Sequence, residues 1–301
     1  MPNTKLNFNQ FIFEVTRRCN LECPHCARGE AQNIDLSMAH IDTTIAQMRR
    51  VENVSLTGGE PFLVPDTIKH ILEQLKKNDV ECYSFSVVTN GTILSEDIAE
   101  IFNDIGFYCR ASQYKKKNRR YPMKAEIEIS DTPYHNNNPQ EALEFYSKHC
   151  NGNVRVHIQD YTKYGNDESN KYEMAYSGRA KSLDNSFGCS SLCYQADMSG
   201  NNIKCKVQLN STGDIALSEL VEFETEDTYN MGCVEDRPII DMLKHWNRVY
   251  LLDCTNAWHR ETAIKALESG RMSLNDRREA REMIYNINEI EENLQEESGL
   301  I

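Results

Sequence analysis

Two hydrophobic periods alternate along the first half of the chain. Phe11-Ile12-Phe13-Glu14-Val15-Thr16 reads as a strand. From Ser37 to Arg50, Ile41, Ile45 and Met48 recur at helical spacing. Asn53-Val54-Ser55-Leu56-Thr57 is a short strand running into Gly58-Gly59-Glu60-Pro61. Asp66 to Lys77 places Ile68, Ile71, Leu72 and Leu75 on one helical face. Tyr83 to Val88 is a strand ending in Thr89-Asn90-Gly91, and Glu96 to Ile105 repeats the helical pattern. Lys124 to Ser130 is a further strand. A helix then starts at Asn138-Pro139, with proline in its first turn, and runs to His149 before the strand Val154 to Ile158. Strands alternating with helices of this length predict βαβ units and a parallel sheet with right-handed crossovers. Residues 1–160 are therefore expected to form an α/β fold, an open (βα) partial barrel.

The chemistry-bearing residues fall at the carboxyl ends of these strands, where parallel sheets place their sites. The first strand leads into Cys19-x3-Cys23-x2-Cys26. Three thiolates at this spacing can all turn inward on one short loop and hold three irons of a [4Fe-4S] cluster, leaving the fourth iron open. Zinc with His25 as a fourth donor, or three unrelated thiols, is the other reading of the loop. Gly58-Gly59-Glu60-Pro61 follows the second strand, Asn90 the third, and Ser130-Asp131 the fourth. Tyr134 and His135 would line the same mouth, although Pro133 also suits a plain turn.

The chain has 301 residues, with 33 basic against 46 acidic and a formal charge of −13, which argues against a nucleic-acid surface. No apolar run approaches the ~20 residues of a membrane span, and the N-terminal residues have no signal-peptide character. Eleven cysteines without an export signal read as reduced thiols and metal ligands, so a cytoplasmic protein working at low oxygen is expected. Cys82, Cys109 and Cys150 show no ligand spacing and read as structural. Lys115-Lys116-Lys117-Asn118-Arg119-Arg120 reads as a solvated loop, with docking of an acidic or phosphorylated partner as the alternative.

CxxxCxxC after an N-terminal strand, followed by GGEP, resembles the signature of the radical S-adenosylmethionine (radical SAM) superfamily. The resemblance covers most of residues 9–250, closely for the first 135. It implies that Cys19, Cys23 and Cys26 hold a [4Fe-4S] cluster whose open iron chelates SAM. It also implies that Gly58, Gly59, Glu60 and Pro61 meet the SAM amino group, with His25 packing near adenine. Ser130 toward the SAM carboxylate or ribose and Arg155 toward the carboxylate or substrate complete the implied set, with a strand-end cap for Ser130 and a salt bridge for Arg155 as the alternatives; Asn90 is a further candidate at its strand end. The activity implied is reductive cleavage of SAM and hydrogen abstraction from a substrate carbon, with an electron donor such as flavodoxin or ferredoxin.

The second half also resembles members of that superfamily with a SPASM or twitch region. Ser177-Gly178-Arg179-Ala180 resembles the link out of the barrel, and Val207 to Leu217 reads as a β-hairpin. Asn230-Met231-Gly232-Cys233 followed by a helix resembles the end of such a region. One auxiliary [4Fe-4S] cluster is expected from Cys189, Cys193, Cys205 and Cys233, with Cys254 in reserve. Ser218 stands where that pattern has a cysteine, so two auxiliary clusters are not expected. The domain expectation is a core over 1–160, a linker and twitch-like region over 161–237, and a helical extension over 238–301. The helical extension carries Ile240, Leu243, Trp246 and Tyr250 on one helix, and Met283, Ile287, Ile290 and Leu294 on a second. The substrate expectation is a ribosomally made peptide to be crosslinked, epimerised or oxidised, although no leader-binding domain precedes the first strand. A small molecule, a glycyl-radical partner enzyme, and a non-catalytic Fe–S or zinc protein are the alternatives.

Overall fold

A computed structural model describes residues 5–116, 125–160, 174–175, 186–187, 196, 198–217 and 231–253. The chain divides into two compact units, 1–192 with 197–242, and 193–196 with 243–301. The first unit is an α/β fold built on one sheet. Its elements are β1 (Leu6–Thr16), α1 (Met38–Ile45), β2 (Met48–Gly58), α2 (Pro65–Lys77), β3 (Glu81–Thr89), α3 (Glu96–Lys116), β4 (Ala125–Asp131), α4 (Pro139–His149) and β5 (Val154–Asp160). Two-residue strands β6 (Met174–Ala175) and β7 (Ser186–Phe187) pair with each other. β8 (Met198–Ser199), β9 (Asn202–Leu209) and β10 (Ile215–Ala216) follow, and α5 (Ile239–Asp253) runs on into the second unit.

The sheet order is β10-β9-β1-β2-β3-β4-β5, with β8 on β9. β1 to β5 are parallel throughout, as the alternating pattern predicts. β9 also lies parallel to β1, from Asn7↔Asn202 to Phe13↔Leu209. The expected hairpin is present, since β10 returns antiparallel on β9, but it is built into the barrel sheet and does not stand apart from it. β1 lies inside the sheet between β2 and β9, and its residues from Phe11 to Thr16 are all buried. Phe8, Phe11 and Phe13 are fully buried, the Phe11 ring lying 5.0 Å from Phe8 and 4.9 Å from Phe13. Each such ring contributes ~1.5–3 kcal/mol by burial.

One boundary differs from the sequence expectation. The helix expected over Ser37–Arg50 stops at Ile45, and β2 already begins at Met48. Met48, Val51 and Val54 are buried in strand register against β1, so sheet pairing overrides the helical spacing of Met48. The other helices start where local chemistry says they should. Ser37 accepts from the His40 N–H at 3.1 Å, and Asn138 caps α4 ahead of Pro139. In α2, Pro65 leads, Asp66 sits in the first turn, and Lys76 and Lys77 occupy the last, matching the helix dipole.

Strand alternation gives the sheet two unlike faces. Val54, Phe85, Ala125 and Ile127 turn into the helix-covered core. Their neighbours Ser55, Ser86, Glu126 and Arg155 form one laterally paired row on the other face. Ser55 and Ser86 hydrogen-bond at 3.1 Å, and Arg155 pairs with Glu126 at 3.3 Å. The next row toward the strand ends is Val88, Glu128 and His157.

Candidate active site

At the carboxyl end of β1 the backbone is zipped on both sides. Thr16 bridges to Asp35, and the Arg18 guanidinium grips both Asp35 oxygens at 2.8 and 2.7 Å. Gly59 N–H donates to the Thr16 carbonyl at 2.9 Å, and Glu60 N–H to the Arg18 carbonyl at 2.8 Å. This close approach needs glycine: a Cβ on Gly59 would stand 2.2 Å from the Arg18 carbonyl oxygen and 3.0 Å from the Cys19 Cβ. The GGEP loop is therefore the seat of the cysteine loop as well as part of the site wall.

The cysteine loop turns on itself through Cys26 N–H to the Cys23 carbonyl (3.1 Å) and Gly29 N–H to the Cys26 carbonyl (3.4 Å). Cys19, Cys23 and Cys26 line one open cleft of about 180 Å³ together with Gly58, Gly59 and Asn90. Burial pushes the Cys19 thiol up, and the negative potentials of Glu60 and Cys26 push the same way. Loss of its proton there calls for a metal partner. Three thiols lining one cleft fit a cluster bound through three irons with one iron left open.

Glu60 does not present its carboxylate to the cleft as a free acceptor. It is 1% exposed, and Oε1 accepts from Phe62 N (3.0 Å) and Thr89 Oγ1 (2.8 Å), while Oε2 accepts from Asn90 N (2.8 Å). It ties the end of β2 to the end of β3. Burial raises its pKa despite these bonds. Pro61 starts the buried 3₁₀ turn Pro61–Leu63 behind the wall.

Asn90 is a hub. Its Nδ2 donates to Asn20 Oδ1 at 2.9 Å, its Oδ1 accepts from Thr92 N at 3.0 Å and Thr92 Oγ1 at 2.6 Å, and Asn20 Nδ2 reaches Thr92 Oγ1 at 2.7 Å. Asn137 Nδ2 joins the ends of β3 and β4 by donating to the Asn90 carbonyl (2.6 Å) and the Ser130 carbonyl (3.0 Å). His25 and His135 line the cleft, the His25 ring stacking on Tyr134 at 5.0 Å and tilting on His135 at 5.0 Å. Burial lowers the His135 pKa, which favours the uncharged imidazole. His25, His135 and Cys23 also bring donor atoms within 4.8 Å of one another. Ser130 lines the cleft, whereas Arg155 is half-exposed on the row below it, paired with Glu126.

Besides Asn20 and Asn137, a buried triad was not singled out from the sequence. Glu14 is buried in β1, with Oε1 on Arg17 Nε at 2.8 Å and Oε2 on Arg28 Nη1 at 3.0 Å. Both arginines line the cleft, and Arg28 also reaches Thr57 Oγ1 at 3.2 Å. The signal was a lone carboxylate in an apolar run, because a buried charge must be paired.

Of the auxiliary set, Cys189 and Cys193 lie outside the described residues. Cys205 lies near the start of β9, at a bulge between its pairings with Phe8 and Gln10. Cys233 bridges Asp214, past the other end of β9. Four strand residues and a turn separate the two levels, roughly 15 Å at ~3.3 Å per residue. The structure thus does not bring Cys205 and Cys233 together. Cys82 and Cys109 face one another in the core at 3.8 Å.

Residues 13–112 match the model of the Radical SAM superfamily. The uncharacterized protein MJ0907 of Methanocaldococcus jannaschii is 31% identical over 98 residues, 31% of this chain and 34% of that protein. The 7-carboxy-7-deazaguanine synthase of Aquifex aeolicus (strain VF5) is 27% identical over 103 residues, 33% of this chain and 44% of that protein. Both matches thus span less than half of the curated relatives' own length. The solved structure of native anSMEcpe with bound AdoMet and Kp18Cys peptide superposes with a TM-score of 0.52 at 15% identity, over 81% of this chain and 82% of that one. That likeness establishes the shared fold.

Proposed function

We propose, for a chain that carries a radical SAM domain over residues 13–112, that Cys19, Cys23 and Cys26 hold a [4Fe-4S] cluster with SAM beside it in the cleft. The proposed activity is modification of a ribosomally made peptide. The observation that carries the reading is convergence: three cysteines, the glycines of GGEP and the ends of β3 and β4 line one cleft. When bound, the group supplies one-electron cleavage of SAM and hydrogen abstraction from a substrate carbon. The chain supplies the arrangement. Glu60 and Asn137 lock three strand ends into one rim. Gly58 and Gly59 let the wall pack close on the backbone that leads into the cysteine loop, and Ser130 lines the mouth. His25 and His135 form an aromatic side to the cleft, with Tyr134 stacked on His25.

The rows beneath the cleft favour a polar substrate. Ser55, Ser86, Glu126 and Arg155, then Glu128 and His157, offer donors and acceptors where an apolar substrate would need a greasy wall. A peptide meets that description, and the solved structure sharing the fold was obtained with one bound. A small polar molecule is the second reading, favoured by the synthase relative. An electron donor such as flavodoxin or ferredoxin is the partner this chemistry requires. Among the described residues, no helix is long and apolar enough to cross a membrane.

Replacing Cys19, Cys23 and Cys26 with alanine should abolish 5′-deoxyadenosine formation under reducing, anaerobic conditions. Continued SAM cleavage by that variant would refute the assignment. Incubation of the reconstituted enzyme with a short peptide encoded beside its gene should change the peptide's mass. Turnover of a metabolite alone would shift the substrate to the second reading.

A further inference from the structure

A second cluster of donors sits on α1, and none of its residues lines the cleft. His40 stands in the first turn of α1, where Ser37 Oγ accepts its N–H at 3.1 Å. Its ring lies on the turn after β9, and Gly213 makes room for it. A Cβ there would stand 2.3 Å from His40 Cε1 and 2.6 Å from Nε2, at a φ of +95° that already favours glycine. The Asp214–Cys233 bridge and the Val234 N–H bond to the Gly213 carbonyl (3.0 Å) bring a second strand of backbone alongside. A turn closed by Asp236 N–H on the Cys233 carbonyl (3.1 Å) carries Glu235 back over the ring.

The result is three unlike donors around one point. His40 Nε2 is 3.8 Å from Cys233 Sγ and 3.8 Å from Glu235 Oε1, and all three ligand atoms lie within 4.8 Å of one another. Hydrogen bonding explains this poorly. An imidazole–carboxylate bond wants ~2.7–3.2 Å, and Nε2 stands equally far from both partners. His40 Nδ1 is buried with no hydrogen-bond partner among the described residues, so the ring is not held through its other nitrogen either. A tetrahedral metal does explain it. Bonds of ~2.3 Å to sulfur and ~2.0–2.2 Å to nitrogen and oxygen put ligand atoms about 3.4–3.6 Å apart, so the two distances from His40 Nε2 need close by only a few tenths of an ångström.

We propose that His40, Cys233 and Glu235 bind one Zn²⁺ ion, with water as the fourth ligand. A mixed S, N and O donor set suits zinc among the divalent metals. Binding drives the proton off Cys233, and the thiolate and carboxylate together neutralise the ion. The ion pins the 231–236 turn and the end of the β9–β10 hairpin onto α1, the helix that follows the cysteine loop. An auxiliary [4Fe-4S] cluster drawing on Cys233 is the competing occupancy, and the two differ in metal and stoichiometry.

The test is metal analysis of the full chain, purified anaerobically and equilibrated with Zn²⁺. Wild type and the Cys19/Cys23/Cys26 alanine variant should each hold one tightly bound zinc, which keeps this site distinct from the loop. His40→Ala should lose the zinc and keep the loop iron. Co²⁺ in place of zinc in the loop variant should show a thiolate-to-cobalt charge-transfer band that Cys233→Ser removes. Glu235→Gln, at a half-exposed position that folding tolerates, should weaken Zn²⁺ by more than the ~10–100-fold lost with a residue that only orients a ligand. Zinc retained by His40→Ala, a band surviving Cys233→Ser, or unchanged affinity in Glu235→Gln would each overturn the proposal. So would the loss of iron on substituting Cys233.

Discussion

Glu60 decides whether the cleft is held by its own rim or by its ligand. The perturbation is Glu60→Gln, which keeps the shape and removes one acceptor. With the amide oxygen kept on Phe62 N and Thr89 Oγ1, the amide NH₂ faces the Asn90 N–H, which then has no partner. A hydrogen bond to a charged group contributes ~1.5–3 kcal/mol, and a buried donor left unmade costs a similar amount. Burial already penalises the charged carboxylate, so glutamine recovers part of this, and a net loss of about 1–2 kcal/mol near neutral pH is expected. With a urea slope of ~2–3 kcal/mol per molar, the midpoint should fall by about 0.5 M. The pH dependence has a definite sign. The folded-state pKa of Glu60 is raised above its ordinary 4.5, so the wild type binds more protons folded than unfolded. Its stability from this group therefore declines as pH rises from 4.5 through the folded value, and glutamine lacks that decline. The deficit of the variant should thus be larger near pH 4.5 than at pH 7. The assay is urea unfolding of cluster-free protein, alongside iron content and SAM affinity after anaerobic reconstitution. Unchanged unfolding with lost SAM affinity would refute the reasoning and make Glu60 a direct ligand.

Three further outcomes are expected. Gly59→Ala should lose loop iron as well as SAM affinity, since its Cβ meets the Arg18 carbonyl at 2.2 Å and the Cys19 side chain at 3.0 Å; full iron content with only SAM lost would contradict that. Asp35 is held below its ordinary 3.8: burial opposes ionisation, but Arg18 and Thr16 bonds outweigh it. Its stabilising contribution is present above pH 3.8 and disappears as pH falls through the folded pKa. Asp35→Asn should therefore be less stable than wild type by under ~1 kcal/mol at pH 7, because the pair is half-exposed, and equal to it in strong acid by urea unfolding. Asn137→Ala removes the donor shared by the Asn90 and Ser130 carbonyls; it should destabilise by ~1–2 kcal/mol and lower SAM affinity with iron content unchanged.

The alternating periods of the first 160 residues made the parallel order β1 to β5 legible, because each βαβ unit is local in sequence. β9 was legible as a strand of a hairpin but not as the neighbour of β1. That pairing joins residues about two hundred positions apart, and no periodicity records it. Met48 shows the same limit at short range. Its spacing from Ile41 and Ile45 fits a helix, yet lateral pairing with Leu6 places it in β2.

The site divides along the same line. Residues proposed to hold the cluster and meet SAM were legible, since Cys19, Cys23, Cys26, Gly58 and Gly59 come in short motifs whose chemistry is local. Residues that position them were not, because Asn20 and Asn137 act on Asn90, and Glu14 on Ser211, across long separations in sequence. Glu14 carries this furthest. It takes Arg17 and Arg28 from the cysteine loop, and it also accepts from Ser211 N at 3.1 Å, while Ser211 Oγ donates to the Glu14 carbonyl at 2.7 Å. Ser211 lies on the β9–β10 turn, two residues before the Gly213 that receives His40. One buried carboxylate thus couples the cleft wall to the turn that Cys233 and Glu235 flank. If both proposals hold, Zn²⁺ at the second site should steady that turn. It should then raise the stability of the loop cluster without touching it.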